Sequence, residues 1–171
     1  LTLGGVSMEN INIFGIIAVI VSVSSFFVAF SQMRIASAKT KLDLYNKRFS
    51  IYMAAFEYYQ ATYYESHEVI KEKSIVFTKA FRESQFLFDK KSQIFETLGK
   101  IQQNGSAILS YEKAKYESDN DLTGNRNELS NLHEHSVKAR NEFRENLLLL
   151  ENQVEKYLKF TNIDGWYFYR K

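Results

Sequence analysis

Residues Ile11 to Phe30, INIFGIIAVIVSVSSFFVAF, form twenty consecutive positions without a charge, and every Lys and Arg of the chain lies after them. A helix rises about 1.5 Å per residue, so this run reaches roughly 30 Å, the hydrocarbon thickness of a bilayer and more than an ordinary buried core helix needs. The sequence therefore predicts a transmembrane helix over residues 11–32, preceded by a short extracytoplasmic N-terminus at 1–10 in which Leu1–Ser7, ahead of Met8, carry no assigned role.

The flanks set the expected orientation. Only Glu9 is charged before the span, whereas Arg34, Lys39, Lys41, Lys47 and Arg48 follow it, and this bias places the C-terminal portion in the cytoplasm, in a bacterium on the inner face of the inner membrane. A cleaved secretory signal is the competing reading, since Ala36-Ser37-Ala38 resembles a signal-peptidase site. Against it stand an n-region without Lys or Arg, an overlong apolar run, and Arg34 just before that site.

Beyond position 32 the chain is long enough for one domain with a core. Zero Pro and seven Gly in 171 residues leave few helix breakers, so the expected class is all-α. Zero Cys removes disulfides, thiolate zinc sites and cysteine nucleophiles together. A formal charge of +2 gives no ground for a dominant nucleic-acid surface, though it permits a local basic stripe.

Apolar spacing organises this portion. Ile35, Leu42, Phe49, Phe56, Tyr63, Ile70 and Phe77 recur every seven residues, with Ala38, Tyr45, Tyr52 and Tyr59 three further on, which predicts a coiled-coil-like stalk continuing out of the membrane. Its packing residues are taken as Leu42, Tyr45, Phe49, Tyr52, Phe56 and Tyr59, either within the chain or between chains, and a bend is expected near Lys71–Ser74. A second helix is expected from about Ile75 to Gln102, with Phe77, Phe81, Phe88, Phe95, Leu98 and Ile101 on one stripe and a left-handed stop at Asn104-Gly105. Ser106 then offers the N-cap of a shorter helix to about Glu117, Ser118–Asn127 reads as a loop, and Leu129, Leu132, Phe143, Leu147, Leu150, Val154 and Leu158 mark a last helix ending near Thr161. The expected architecture is thus an N-terminal transmembrane helix continuing into a long helical stalk and a cytoplasmic antiparallel helical bundle over 33–161, followed by an aromatic tail at 162–171.

Within the span, Gly15, Ser22, Ala29 and Ala36 lie seven apart, and Ala18, Ser25 and Gln32 form a companion line three residues on, with Asn12 adjacent. Small residues at this spacing let helices approach closely in lipid, and Ser, Asn or Gln there can hydrogen-bond across the contact. A self-associating span is one reading and a plain anchor with incidental small residues the other. Three or more such spans would enclose a pore lined by Asn12, Ser22, Ser25 and Gln32.

Catalytic signatures are scarce. His133 and His135 are two apart, which on a helix turns the rings about 200° from each other and prevents joint chelation. Asp119-Asn120-Asp121-Leu122-Thr123-Gly124 resembles the opening of a calcium loop, but the twelfth position is Ser130 where a bidentate Glu is needed, and Arg126 adds positive charge. No phosphate loop, nucleophile triad, metal cluster or cofactor motif is found, so the expectation is a protein without enzymatic activity or cofactor. Arg34, Lys39, Lys41, Lys47 and Arg48 are candidates for anionic ligand or lipid headgroup contacts. Topological anchoring is the plain alternative, and the interleaved Tyr45, Tyr52, Tyr58 and Tyr59 would let them grip a nucleotide or single-stranded nucleic acid.

The segment Lys41 to Tyr52, KLDLYNKRFSIY, resembles a KLxLYxKRFxIY signature that follows the N-terminal span of small bacterial membrane proteins, whose C-terminal ends also read like Glu155 to Phe160, EKYLKF. Proteins of this build include membrane effectors of Hailong-type anti-phage modules, in which an oligomeric channel is held in check by a nucleic-acid product. The resemblance implies a homo-oligomeric membrane effector in antiviral defence, a gated pore or membrane-disrupting protein whose cytoplasmic helical domain senses a ligand or partner. A passive single-pass anchor or scaffold for a cytoplasmic protein partner is the alternative.

Overall fold

The computed structural model describes residues 8–120 and 126–159, with side chains from 13–119 and 129–159. Four helices account for nearly all of them: α1 (Met8–Tyr64), α2 (His67–Leu87), α3 (Ile94–Asn120) and α4 (Arg126–Leu158), with a 3₁₀ turn at Lys90–Ser92 between α2 and α3. No strand occurs among the described residues, as the all-α expectation requires. The helices fall into two compact units, one holding α1 up to Leu42 and the other, Asp43–Asn162, holding the remainder of α1 with α2, α3 and α4.

With no Gly or Pro between Ile16 and Tyr64, nothing interrupts the helical hydrogen bonding of α1. Its N-terminal part is long and apolar enough to cross a membrane, with a mean hydropathy of 2.6 in its most apolar window and none of that window buried.

The chain first reverses at Glu65–Ser66 and not at Lys71–Ser74. Ser66 is extended (φ −68°, ψ 162°), its carbonyl accepts the Ile70 N–H at 3.0 Å, and Glu68 lies in the first turn of α2, where a negative charge meets the positive end of the helix dipole. The reversal lays α2 back on α1: Phe77 sits 5.4 Å from the Tyr58 ring, and Lys73 Nζ donates to Glu57 Oε2 at 2.9 Å.

The second reversal also departs from the expected place. The predicted helix over Ile75–Gln102 is two helices, because Phe88 is extended and Gln93 is left-handed (φ 58°). Between them Ser92 turns inward and its Oγ donates to the Asp89 carbonyl at 2.6 Å, closing the 3₁₀ turn. Asn104, Gly105 and Ser106, expected to end one helix and start the next, are interior to α3. Gly105 is there for packing: a Cβ on it would run into the Tyr58 ring and hydroxyl. Asn104 is buried against α4, where its amide nitrogen can donate to Glu142 Oε2 and its oxygen can accept from Asn146 Nδ2, each at 3.2 Å. A residue pair that commonly stops helices here serves helix contact, and packing overrides its local tendency.

The result is an up-down-up-down bundle in which α1 and α3 run one way and α2 and α4 the other. Phe81 stacks on Phe95 (4.6 Å), Gln102 Nε2 donates to Thr78 Oγ1 (3.2 Å), Arg140 pairs with Glu112 (2.7 Å), and Phe88 meets Tyr157 edge-on (5.2 Å). The core gathers Ile51, Ala55, Tyr58 and Ala61 of α1 with Phe77, Leu98, Ile101, Ile108, Phe143, Leu150 and Val154. The final helix thus has its predicted inward face. Its end at Leu158 lies close to the expected one, while Thr161 and the aromatic tail fall outside the described residues; of the expected loop Ser118–Asn127, residues 118–120 instead continue α3 past Glu117 and 126–127 open α4, and 121–125 with the side chains of 120–128, in the calcium-like segment, lie outside the described residues.

The α1 register differs from the predicted stalk stripe. The core takes Ile51, Ala54, Ala55, Tyr58, Ala61 and Thr62, while Leu42, Phe49 and Tyr63 remain 44%, 41% and 43% exposed. Tyr45, Phe49, Tyr52 and Phe56 form an aromatic ladder beside the core, with successive rings 6.2 to 6.3 Å apart, and Tyr59 leans on Phe143 at 5.4 Å. A seven-residue repeat of large side chains marked the rim of the buried face; the centre is filled by small residues that admit Tyr58.

Candidate functional site

Two clusters of predicted residues can be located. The first lies on the apolar part of α1. At about 100° per residue, Gly15, Ala18, Ser22, Ser25, Ala29 and Gln32 share an arc of about 100° on one face of the helix. All six are exposed. A Cβ on Gly15 would meet nothing within 4 Å, so no contact among the described residues requires that glycine. Ser22 Oγ donates to the Ala18 carbonyl at 2.8 Å, which satisfies its proton and leaves its oxygen lone pairs available. Ser25 and Gln32 make no hydrogen bond among the described residues, and the side chain of Asn12 lies outside them. Phe26, by contrast, is occupied with its neighbours, 6.0 Å from Phe27 and 6.4 Å from Phe30. The arc therefore combines close approach with unspent hydrogen-bonding capacity in the least polar stretch of the chain.

The second cluster lies at the end of the bundle into which α1 runs from Asp43; we call this end the base. Arg48, one of the predicted anion contacts, is drawn inward. Its Nε donates to the Leu87 carbonyl at 2.9 Å, and its guanidinium lies 4.7 Å from the Tyr157 ring centre and 5.7 Å from that of Phe88. Leu87 is the last residue of α2, so its carbonyl is one of the acceptors that a helix end leaves without an intrahelical partner, and a cation there also complements the negative end of the dipole. Burial pulls the Arg48 guanidinium below its ordinary value, partly offset by the charge interaction with the Tyr157 phenol group. Arg48 thus joins the ends of α2 and α4 to α1. Lys47 remains exposed, as do Lys39 and Arg34 on the first part of α1, whereas Lys41 is half-buried.

The tyrosines proposed for base stacking are mostly engaged with protein rings. Tyr58 is 1% exposed between Phe77 (5.4 Å) and Phe143 (5.5 Å), and burial pushes its phenol well above the usual range. Tyr45 and Tyr52 stack in the ladder.

Sequence reasoning missed the partners of Arg48, namely the Leu87 carbonyl, Phe88 and Tyr157, and the two lysines of the 3₁₀ turn, Lys90 and Lys91. The available signal was the polar run Asp89-Lys90-Lys91-Ser92-Gln93 between two aromatic-rich segments, a turn signature hidden by the apparent continuity of the phenylalanine stripe. The histidines hold no shared site: His67 packs on Tyr116 at 4.4 Å and pairs with Glu68, and His133 packs on Tyr111 at 5.2 Å. Among the described residues no group of three His, Cys, Asp or Glu is arranged to hold a metal ion.

Compared with known proteins, the chain matches no family model, no curated protein and no solved structure.

Proposed function

We propose that this protein is a self-associating membrane effector in which α1 crosses the bilayer, copies of α1 pack through the Gly15–Gln32 arc, and the helical bundle is the sensing domain that opens or closes the resulting pore. One observation carries the reading: the arc offers small residues and unspent polar groups on a helix face that has no partner among the described residues. In lipid, van der Waals packing of small residues and hydrogen bonds across the contact drive helix association. Three or more parallel copies would line an aqueous path with Asn12, Ser22, Ser25 and Gln32. The orientation we propose, bundle in the cytoplasm, follows from the flanking charge. The setting, a bacterial anti-phage module, rests on the resemblance of the juxtamembrane segment alone.

The bundle suits a sensor because its α1 segment is held by discrete contacts: Arg48 to the end of α2, Glu57 to Lys73, and Tyr58 against Gly105. A ligand that favours one packing of these helices over another shifts the equilibrium by its differential affinity. The test is membrane depolarisation on induced expression in a bacterium, comparing the intact chain with the Asn12/Ser22/Ser25→Leu variant at matched membrane abundance. Depolarisation by the intact chain and its loss in the variant are expected. A variant that depolarises equally would refute a pore on this face, and a silent intact chain, even when its genomic neighbour and that neighbour's stimulus are supplied, would favour a passive anchor.

A further inference from the structure

We propose that the base of the bundle is a docking surface for anionic lipid headgroups, with Lys90 and Lys91 as its main contacts. This rests on the reading of α1 as a membrane span, because α1 is one continuous helix from that stretch into this end of the bundle.

Topology puts the relevant groups together. The α2–α3 connection lies at the base, since Arg48 near the start of the bundle part of α1 binds the Leu87 carbonyl, and the last turn of α4 lies there too, since Tyr157 meets Phe88. The connection is firmly built. Phe88 and Ile94, buried on either side, are 8% and 0% exposed, Ser92 is 7% exposed and bonded to the Asp89 carbonyl, and the left-handed Gln93 returns its N–H to the Lys90 carbonyl at 3.4 Å. At the apex of this pinned turn Lys90 and Lys91 are both exposed, and among the described residues neither forms an ion pair. Lys47 shares the base and is likewise without an ion pair there.

The acidic groups at this end include Asp43, Asp89, Glu96 in the first turn of α3, and Glu155, the last of which is taken up by Lys159 at 2.9 Å. At the far end of the bundle Glu65, Glu68, Glu112 and Asp119 line a cleft of about 210 Å³ with His67 and Lys115, and Glu112 is paired with Arg140. A headgroup phosphate fits the base better than a nucleobase does, because the aromatic faces there, Phe88 and Tyr157, are covered by Arg48. A lysine near an anionic leaflet gains roughly a five-fold preference over a neutral surface, so the pair supplies roughly 25-fold.

The chain has no cysteine, which allows single-site labelling. The full chain is placed in nanodiscs of phosphatidylcholine, with or without phosphatidylglycerol, that contain a headgroup-attached quencher. A fluorophore is introduced singly through Asp89→Cys at the base, Tyr64→Cys at the far end, or Ile20→Cys on the face of the span opposite the Gly15–Gln32 arc. We expect the base label to be quenched several-fold more than the far-end label, the excess to grow with phosphatidylglycerol, and Lys90→Gln with Lys91→Gln to remove that growth while leaving the far-ultraviolet circular dichroism unchanged. The Ile20→Cys label separates the two readings. If aqueous iodide quenches it, the span reading fails and this proposal falls with it. If it is shielded while the base label ignores phosphatidylglycerol or the two Gln substitutions, the headgroup surface alone is overturned. Abolition of the phosphatidylglycerol effect by soluble glycerol phosphate at constant ionic strength would likewise overturn it, in favour of a site for soluble anions.

Discussion

Replacing Gly105 by Ala should destabilise the bundle even though alanine is the better helix former. In mid-helix, Gly→Ala gains about 0.8–1 kcal/mol from backbone entropy. Here the added methyl would overlap three atoms of Tyr58, its Cε1, Cζ and hydroxyl oxygen. That ring has no easy retreat, being 1% exposed with Phe77 and Phe143 against it. Overpacking a filled core commonly costs about 1–3 kcal/mol, and a rigid ring overlapped at several atoms belongs at the upper part of that range. The net expectation is a loss of about 1–2 kcal/mol. Gly99 supplies an internal control on the same helix, because its added methyl would sit 3.8 Å from the Phe81 ring, an ordinary contact. Gly99→Ala should therefore stabilise by up to about 1 kcal/mol. Thermal unfolding of the full chain in detergent, followed by circular dichroism, reads both, and a second substitution, Tyr58→Leu, should recover most of the Gly105→Ala loss as a coupling energy. If Gly105→Ala raised the melting temperature as Gly99→Ala does, Tyr58 would not be seated against α3.

Arg48→Gln should cost about 1–2 kcal/mol by removing a charge-assisted hydrogen bond at the end of α2 and two ring contacts, and Arg48→Lys should recover only part because it lacks the planar fork; denaturant titration of the full chain in detergent checks both. Burial raises the Tyr58 phenol, so the neutral form is favoured in the folded state: its contribution is fully present below the unfolded value near pH 10 and is lost as pH rises through the higher folded value, by up to about 1.4 kcal/mol per pH unit. The stability gap between the intact chain and Tyr58→Phe should accordingly shift in favour of the variant above pH 10, and a gap independent of pH would contradict the buried phenol. Arg140→Ala should destabilise more than Glu112→Gln/Arg140→Met together, since removing one partner of the half-buried pair strands the other; equal losses would show that the pair contributes only packing. Gly15→Leu should leave bundle unfolding unchanged but lower self-association in membranes about ten-fold, read by energy transfer between labelled copies.

Much of the fold is legible in the sequence because helix breakers are so rare. The uncharged run at Ile11–Phe30 and the inward face of α4 from Phe143 to Val154 could be taken directly from composition and spacing. The two reversals could not, because each is set by tertiary packing. Ser66 is one serine among many until Ile70 and Phe77 need to return to Tyr58, and the turn at Phe88–Gln93 is hidden because the phenylalanines on both sides end in one core and so keep an unbroken stripe across the break. Asn104-Gly105 misled for the complementary reason. Its chemistry suits a helix end equally well as a close helix contact, and only the position of the Tyr58 ring, forty-seven residues earlier in the chain, decides between them.

The same test, whether a residue has a use inside the chain, separates the two sets of candidate residues. Arg48 was singled out as a surface cation, yet its donor and its faces are engaged by Leu87, Phe88 and Tyr157, so its first effect is on how three helix segments hold together. Gly105 has a partner that requires it, whereas Gly15 has none among the described residues. A glycine in the middle of a helix sacrifices about 1 kcal/mol of helix propensity in water, and Ser25 and Gln32 carry unspent polar groups in the most apolar part of the molecule. Under the proposed function both features find a use in a helix that meets its own copies, where the glycine admits a backbone and the hydroxyl and amide acquire partners. The inference from residues to assembly is strongest where the folded chain leaves its own chemistry unused.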